Sequence, residues 1–416
     1  MEILKPSLNY IKTLLKWLIA ASVLGLIGGA LGSVFHMCIE GVTHLRYENR
    51  WFIFLLPLGG VVITCIYNFF KSKGHIDTNR VLEAVRDRGS VPVVMVPLIF
   101  VSTAITHMLG GSAGREGAAL QLGGSLGYNL GKLFRLDKKD MHIIVMAGMS
   151  SVFSALFGTP LTAAVFSLEV ARVGVFHYAG FLPCIISSVV AYQVSLAFGI
   201  TPVEFSNVLF EAVTLPGVMK VMALALLCAI VSILFCTSIQ KCEHYMEKFI
   251  KNAYFRAIFG ALLIVILTLI VGNQEYNGAG MEVISRAISG EARYEAFLLK
   301  IIFTAITISA GFKGGEIVPT FFIGSTFGCA FGSLLGLNPG FGAAIGFVSL
   351  FCCVVNCPVA SLLLSVEVFG AEGILYFAVA TGICYLMSGN FGLYNSQKVV
   401  YSKTDDSYVG ERRNVL

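Results

Sequence analysis

Gly110 to Gly124 reads GGSAGREGAALQLGG and follows the apolar run Val91 to Met108. Arg115 and Glu116 are adjacent charges set among glycines. Ionisable groups at membrane depth are costly, rare and usually functional. The glycines predict a helix that stops and restarts, with backbone open to a ligand. Beyond Gly117, the stretch Ala118-Ala119-Leu120-Gln121-Leu122 is helix-forming. Amides at a helix start lack partners within the helix and carry the positive end of its dipole, so an anion is favoured there. Glu116 places its own negative charge at that same end. A carboxylate there competes with a bound anion, and protonation relieves the competition. The residues alone allow two readings. One is an anion path gated by a protonatable Glu116; the other is a surface loop in which Glu116 merely caps a helix.

Composition narrows the setting. The 416 residues are 56% hydrophobic and 13% charged, with a mean hydropathy of +0.81. A soluble protein carries about a quarter charged residues. The chain is therefore expected to be an all-α polytopic membrane protein. Its 44 glycines suit helices that pack closely in lipid. The formal net charge of +5 comes from basic residues in short loops, so it reports orientation and implies no nucleic-acid partner. Lys5, Lys12 and Lys16 precede the first apolar run without a usual cleavage site, which places the N-terminus in the cytoplasm. The 11 cysteines show no metal or disulfide spacing; Cys353 and Cys357 are placed to share a helix face, but no His or carboxylate adjoins them. No metal or other cofactor is expected.

Apolar spans are expected at Trp17–Ile39, Trp51–Phe70, Val91–Met108, Ala118–Leu130, Ile143–Phe157, Pro160–Ala171 and Tyr178–Phe198 in the first half. Lys71 to Arg88 reads as a cytoplasmic loop holding a short helix from Asn79, and Thr201 to Leu215 as an exposed connection. The second half gives Val218–Ser238, a cytoplasmic loop from Lys241 through Arg256, then Ile258–Val271. Asn273 to Glu295 is polar and is placed near the membrane surface. Phe297–Ala310 leads to a second charged break, GFKGGEIVPTFFIG, at Gly311 to Gly324. Phe341–Val355, Pro358–Phe369 and Ile374–Met387 follow. The expected division is 1–210 as a first membrane repeat, 211–400 as a second, and 401–416 as a short polar tail with no soluble regulatory domain.

That division rests on an internal echo. Gly114-Arg115-Glu116-Gly117 and Gly314-Gly315-Glu316 put their glutamates 200 residues apart. Pro160 to Val170, PLTAAVFSLEV, and Pro358 to Val368, PVASLLLSVEV, start 198 residues apart. Two motifs with nearly one offset point to duplicated halves whose broken helices meet in mid-membrane.

These residues resemble the CLC family of chloride channels and anion/proton exchangers. Gly114-Arg115-Glu116-Gly117 is similar to that family's GREG motif, Gly314 to Gly324 to its second pore motif, Gly158-Thr159-Pro160-Leu161 with Phe166-Ser167-Leu168-Glu169 to its proline-led helix, and Tyr394 in GLYNSQK to its central-site tyrosine. The resemblance implies two inverted repeats, one anion path per subunit and a homodimer. It implies that Glu116 is the gate and proton carrier. It further implies that amides around Gly117 and Ala118, and around Ile317 and Val318, meet the anion, together with the Tyr394 hydroxyl.

Three departures are visible. The serine-bearing GSGIP motif is absent, the nearest stretch being Gly74-His75-Ile76-Asp77-Thr78. Val170 stands where many exchangers have an internal proton glutamate. Glu316 replaces an uncharged residue, and with Pro319, Phe321 and Phe322 it resembles the fluoride-exporting branch of fluoride/proton antiporters. A second carboxylate repels a second anion and offers another proton site. Phe322 is the ring whose edge is expected to meet fluoride. The leading expectation is a fluoride/proton antiporter using Glu116 and Glu316, with a chloride/proton exchanger or chloride channel next. A distant alternative is a membrane-embedded serine hydrolase, because Gly110-Gly111-Ser112-Ala113-Gly114 fits G-x-S-x-G with His107 nearby.

Overall fold

The computed structural model describes residues 4–70, 77–87, 89–205, 208–405 and 407–413. Two series of eight helices follow each other. The first comprises α1 (Leu4–Glu48), α2 (Leu56–Phe69), α3 (Thr78–Asp87), α4 (Met95–Met108), α5 (Glu116–Leu133), α6 (Lys138–Phe157), α7 (Pro160–Glu169) and α8 (Phe181–Ala197). The second comprises α9 (Leu215–Phe249), α10 (Ala253–Val271), α11 (Met281–Ile288), α12 (Ala296–Ser309), α13 (Ile317–Leu334), α14 (Pro339–Val355), α15 (Pro358–Phe369) and α16 (Ile374–Met387). Long and short members recur in the same order. Among the described residues, seven helices are long and apolar enough to cross a membrane. Large apolar side chains such as Ile19, Ile230 and Ile270 face outward, as lipid contact requires. The chain is mostly helical, with the apolar outer surface of a multi-pass membrane protein.

The helices with most glycine are buried in the middle. α5 packs on α6 so closely that a side chain at Gly123 would strike the carbonyl oxygen of Gly148. α13 and α14 repeat that crossing, with Gly324 against the carbonyl of Gly346. In lipid, where apolar surface gains little from helix association, backbone contact of this kind supplies the packing.

The two halves clasp each other reciprocally. Glu169, closing α7, accepts hydrogen bonds from Val359 N (3.3 Å) and Ala360 N (3.0 Å) at the start of α15. Glu367, in the last turn of α15, accepts from Leu161 N and Thr162 N at the start of α7, both at 2.8 Å. Each glutamate answers the positive end of the other half's helix. Such exchanged contacts are the signature of a two-fold axis.

Several boundaries differ from expectation. α1 is longer than its apolar stretch because Lys12 and Lys16 are good helix formers, and Lys16 pairs with Asp140 of α6. The loop expected from Lys241 is helix as far as Phe249, since Lys-Cys-Glu-His-Tyr-Met-Glu-Lys keeps helical preference after leaving the apolar zone. Cys353 and Cys357 do not share a face, because α14 ends at Val355 and Asn356 turns left-handed at φ +56. The architecture is not purely helical. β1 (Arg172–Val173) pairs in parallel with β2 (Lys398–Tyr401), which pairs antiparallel with β3 (Tyr408–Arg413). Within Asn273–Glu295 the charged residues Glu282, Arg286, Glu291, Arg293 and Glu295 are exposed, but Tyr276, Asn277 and Gly278 fold inward on the first break. Gly278 N donates to Gly111 O at 3.0 Å, and Asn277 Nδ2 to Gly110 O at 2.8 Å. Of the Gly74–Thr78 stretch, Gly74, His75 and Ile76 lie outside the described residues.

Candidate anion and proton site

Two broken helices meet at the centre. α4 stops at Met108, Gly110 turns at φ +86, and α5 starts at Glu116; α12 stops at Ser309, Gly311 turns at φ +95, and α13 starts at Ile317. Those φ values favour glycine over any residue with a side chain. The breaks are tied backbone to backbone. Gly114 N donates to Gly315 O at 2.6 Å and Gly315 N to Gly114 O at 2.7 Å. A side chain at Gly117 would lie 2.7 Å from Gly315 Cα. Hydroxyls complete the join, with Ser112 N donating to Thr307 Oγ1 (3.0 Å) and Lys313 N to Thr106 Oγ1 (3.3 Å).

The first intrahelical bond of α5 is from Ala119 N to Arg115 O, at 3.0 Å. The amides of Gly117 and Ala118 precede it and point out of the helix start. In α13 the first is from Thr320 N to Glu316 O, also 3.0 Å, and Pro319 has no N–H. Ile317 and Val318 therefore hold the equivalent amides. Two positive helix ends converge across one glycine bridge.

Glu116 lies at this point and is 2% exposed. Its Oε2 accepts from Arg115 N at 3.0 Å, and its Oε1 lies 3.7 Å from Arg115 Nε. It is not in bulk solvent. Glu316 is the N-cap of α13, with a carboxylate oxygen 3.5 Å from where a Gly117 side chain would begin. Both carboxylates thus flank the same junction. Tyr394 is buried, and its hydroxyl has no hydrogen-bond partner among the described residues.

Phe321 and Phe322 separate. Phe321 stacks on Phe347 with centroids 4.0 Å apart and belongs to an aromatic core with Phe157 and Phe351. Phe322 packs against Tyr276, and the ammonium of Lys300 sits 5.0 Å above its ring. Lys300 is fully buried and donates to the carbonyls of Tyr276 (3.1 Å) and Gly278 (2.7 Å). Sequence reading missed this lysine inside an apolar run. It also missed buried Arg46, which donates to the His107 carbonyl at 3.3 Å, and the pair His36 and Glu40 on α1. An ionisable residue inside an apolar stretch was the available signal for His36 and Lys300, whereas Arg46 follows the first apolar run among other polar residues.

The hydrolase alternative fails on geometry. Ser112 lies between two helices, not on a strand-turn-helix, and its hydroxyl is 3.1 Å from Thr304 Oγ1. Val170 is buried, and its carbonyl accepts from Gln397 Nε2 at 2.9 Å.

Comparison with known proteins gives a consistent result. The family model for the voltage gated chloride channel matches residues 59–389. A chloride/fluoride channel protein of Pseudomonas syringae pv. tomato is 34% identical over 403 residues, covering 95% of this chain and 89% of that protein. The H+/Cl− exchange transporter ClcA of Vibrio vulnificus is 24% identical over 435 residues, covering 93% and 90%. Among solved structures, a CLC-type fluoride/proton antiporter aligns with a TM-score of 0.89 at 29% identity, over 93% of this chain and 98% of that one. A slow cyanobacterial Cl−/H+ antiporter shares the fold, with a TM-score of 0.77 at 19% identity over 89% and 94%. With its crossed helix breaks and its family match over most of the sequence, this chain belongs to the CLC, or voltage-gated chloride channel, family.

Proposed function

We propose that this chain is a halide/proton antiporter that exports fluoride, with Glu116 as gate and proton carrier. The observation that carries the reading is a buried carboxylate at a helix start whose outward amides suit an anion. When ionised, Glu116 competes with the halide for that place; when protonated, it yields. The proton then leaves with Glu116 as the anion moves the other way. Gly117, Ala118, Ile317 and Val318 donate amides to the anion, and Tyr394 its hydroxyl. Glu316 discourages a second anion and offers a second proton position. Phe322 presents a ring edge, made more electropositive by Lys300 over its face.

The fluoride choice draws on Glu316 and Phe322, and on the relatives described above as a chloride/fluoride channel protein and a fluoride/proton antiporter. Valine at position 170 favours the second reading, a passive halide channel of the same fold. The halves divide at about residue 210 (1–210 and 211–400), the protein works as a homodimer with one path per subunit, and the N-terminus is cytoplasmic. The test is efflux from reconstituted liposomes with the lumen pH recorded. Fluoride efflux should exceed chloride efflux and drive protons inward. Equal chloride movement without a pH change would select the channel.

A further inference from the structure

Glu116 shares its arginine. Arg115 Nε lies 3.7 Å from Glu116 Oε1, and Arg115 Nη1 lies 3.9 Å from Glu40 Oε1 on α1. Glu40 Oε1 is in turn 2.8 Å from His36 Nε2, one turn earlier on the same helix. The other ring nitrogen, His36 Nδ1, is 3.3 Å from the Leu156 carbonyl of α6. A carbonyl only accepts, so Nδ1 carries the ring proton of neutral histidine. Nε2 then presents a lone pair to a carboxylate oxygen at hydrogen-bond distance. Two lone pairs at that separation repel, so the geometry suits a proton shared between them. His36 is almost enclosed, its side chain 8% exposed, while that of Glu40 is 62% exposed and in contact with the surroundings.

We propose that the His36–Glu40 pair is a proton-holding site that sets how readily Glu116 ionises, by competing with it for Arg115. The inference rests on the role assigned to Glu116 above. His36 and Glu40 are positioning residues, since neither touches the anion.

The proton bookkeeping fixes the sign. The loaded pair has no net charge, and Glu40 is occupied by His36. Arg115 is then free for Glu116 and favours its ionised form. When the pair loses its proton to water, its net charge becomes −1. The Glu40 carboxylate is released and draws Arg115 away, so Glu116 takes a proton more readily. Both the loss of Arg115 and the new negative charge act in this one direction. The pair therefore flattens the response of Glu116 to pH. Among the described residues, three other titratable groups lie along this chain of contacts. His107 on α4 is buried within reach of Arg115, Glu316 lies beyond Gly117, and His44 pairs with Glu48 farther out on α1. From α6 the contact to His36 is the Leu156 carbonyl.

The experiment measures fluoride efflux from liposomes holding the full chain, at equal pH on both sides, across a pH series. Glu40→Gln leaves Arg115 to Glu116 at every pH and should move the midpoint of the profile to the acid side by about half a unit. His36→Gln leaves Glu40 always ionised and should move it to the alkaline side by about the same amount. Glu116→Gln should flatten the profile. Opposite shifts support the proposal. An unmoved profile in Glu40→Gln, shifts in one direction from both variants, or a wild-type profile in Glu116→Gln overturns it. Proton coupling is read separately from lumen pH. An uncoupled wild type would sink the antiporter reading, while the efflux profiles still decide this one.

Discussion

Gly114 and Gly315 each donate their backbone N–H to the other's carbonyl, at 2.6 and 2.7 Å, and so join the two helix breaks backbone to backbone. A side chain at Gly315 would strike Gly117 N. Because backbone cannot rotate aside as a side chain can, Gly315→Ala should cost about 1–3 kcal/mol and lower the melting temperature in detergent. Gly41→Ala, in the interior of α1 where open space surrounds the position, serves as control and should leave it unchanged or raise it slightly. Equal melting temperatures for both variants would refute a tight junction.

Glu116→Gln removes the charge that competes with the anion while keeping its shape. The variant should still move fluoride but no longer move protons against it. The check is lumen pH during efflux; proton movement equal to wild type would remove Glu116 from the coupling.

The clasp between halves predicts symmetry. Glu169→Gln and Glu367→Gln should each destabilise by about 1 kcal/mol, because a neutral amide answers a helix start more weakly than a carboxylate. Similar drops in melting temperature are expected from the two variants. A large drop from one and none from the other would contradict the reciprocal arrangement.

Among the described residues, Lys300 is buried without a carboxylate partner and is met by two carbonyls and a ring face. Lys300→Met removes the desolvation cost and keeps the volume, so stability should hold or rise. Anion binding should weaken by about tenfold, because a positive charge beside α13 is lost in a low-dielectric setting. Fluoride titration by calorimetry together with a melting curve separates the two effects.

Lys403, between β2 and β3, donates to Asn356 Oδ1 (2.5 Å) and Ser388 Oγ (3.0 Å). Burial brings its ammonium down from the ordinary 10.5 to about 8. Between those pH values the unfolded chain holds this proton and the folded chain does not, so stability should rise as pH goes from 8 to 10.5. Lys403→Met should remove that slope from melting temperatures measured across the window.

The parts legible in the sequence were those with local punctuation. Glycines around Arg115 and Glu116, and around Glu316, mark where helices break, because glycine alone tolerates the turns at Gly110 and Gly311. Prolines 160 and 358 mark helix starts for the complementary reason. Contacts between distant segments left no such mark. Glu40 reaches Arg115 across 75 residues, and Lys300 reaches Gly278 across a loop that looked like surface. The helical extension to Phe249 was hidden because polarity was read as loop, although helix preference persists beyond the bilayer. The two-residue β1 is too short for alternation to declare it, and β2, Lys-Val-Val-Tyr, does not alternate.

The exchanged glutamate clasps also bear on biogenesis. While the ribosome is still making the second half, the start of α7 has no Glu367 to receive it, and Glu169 has no α15 to hold. The first half must therefore wait in the bilayer with a helix end uncapped until its counterpart has been inserted, so completion of the pore is tied to completion of translation. Co-expressing the halves as separate chains should restore the clasp that either fragment lacks by itself.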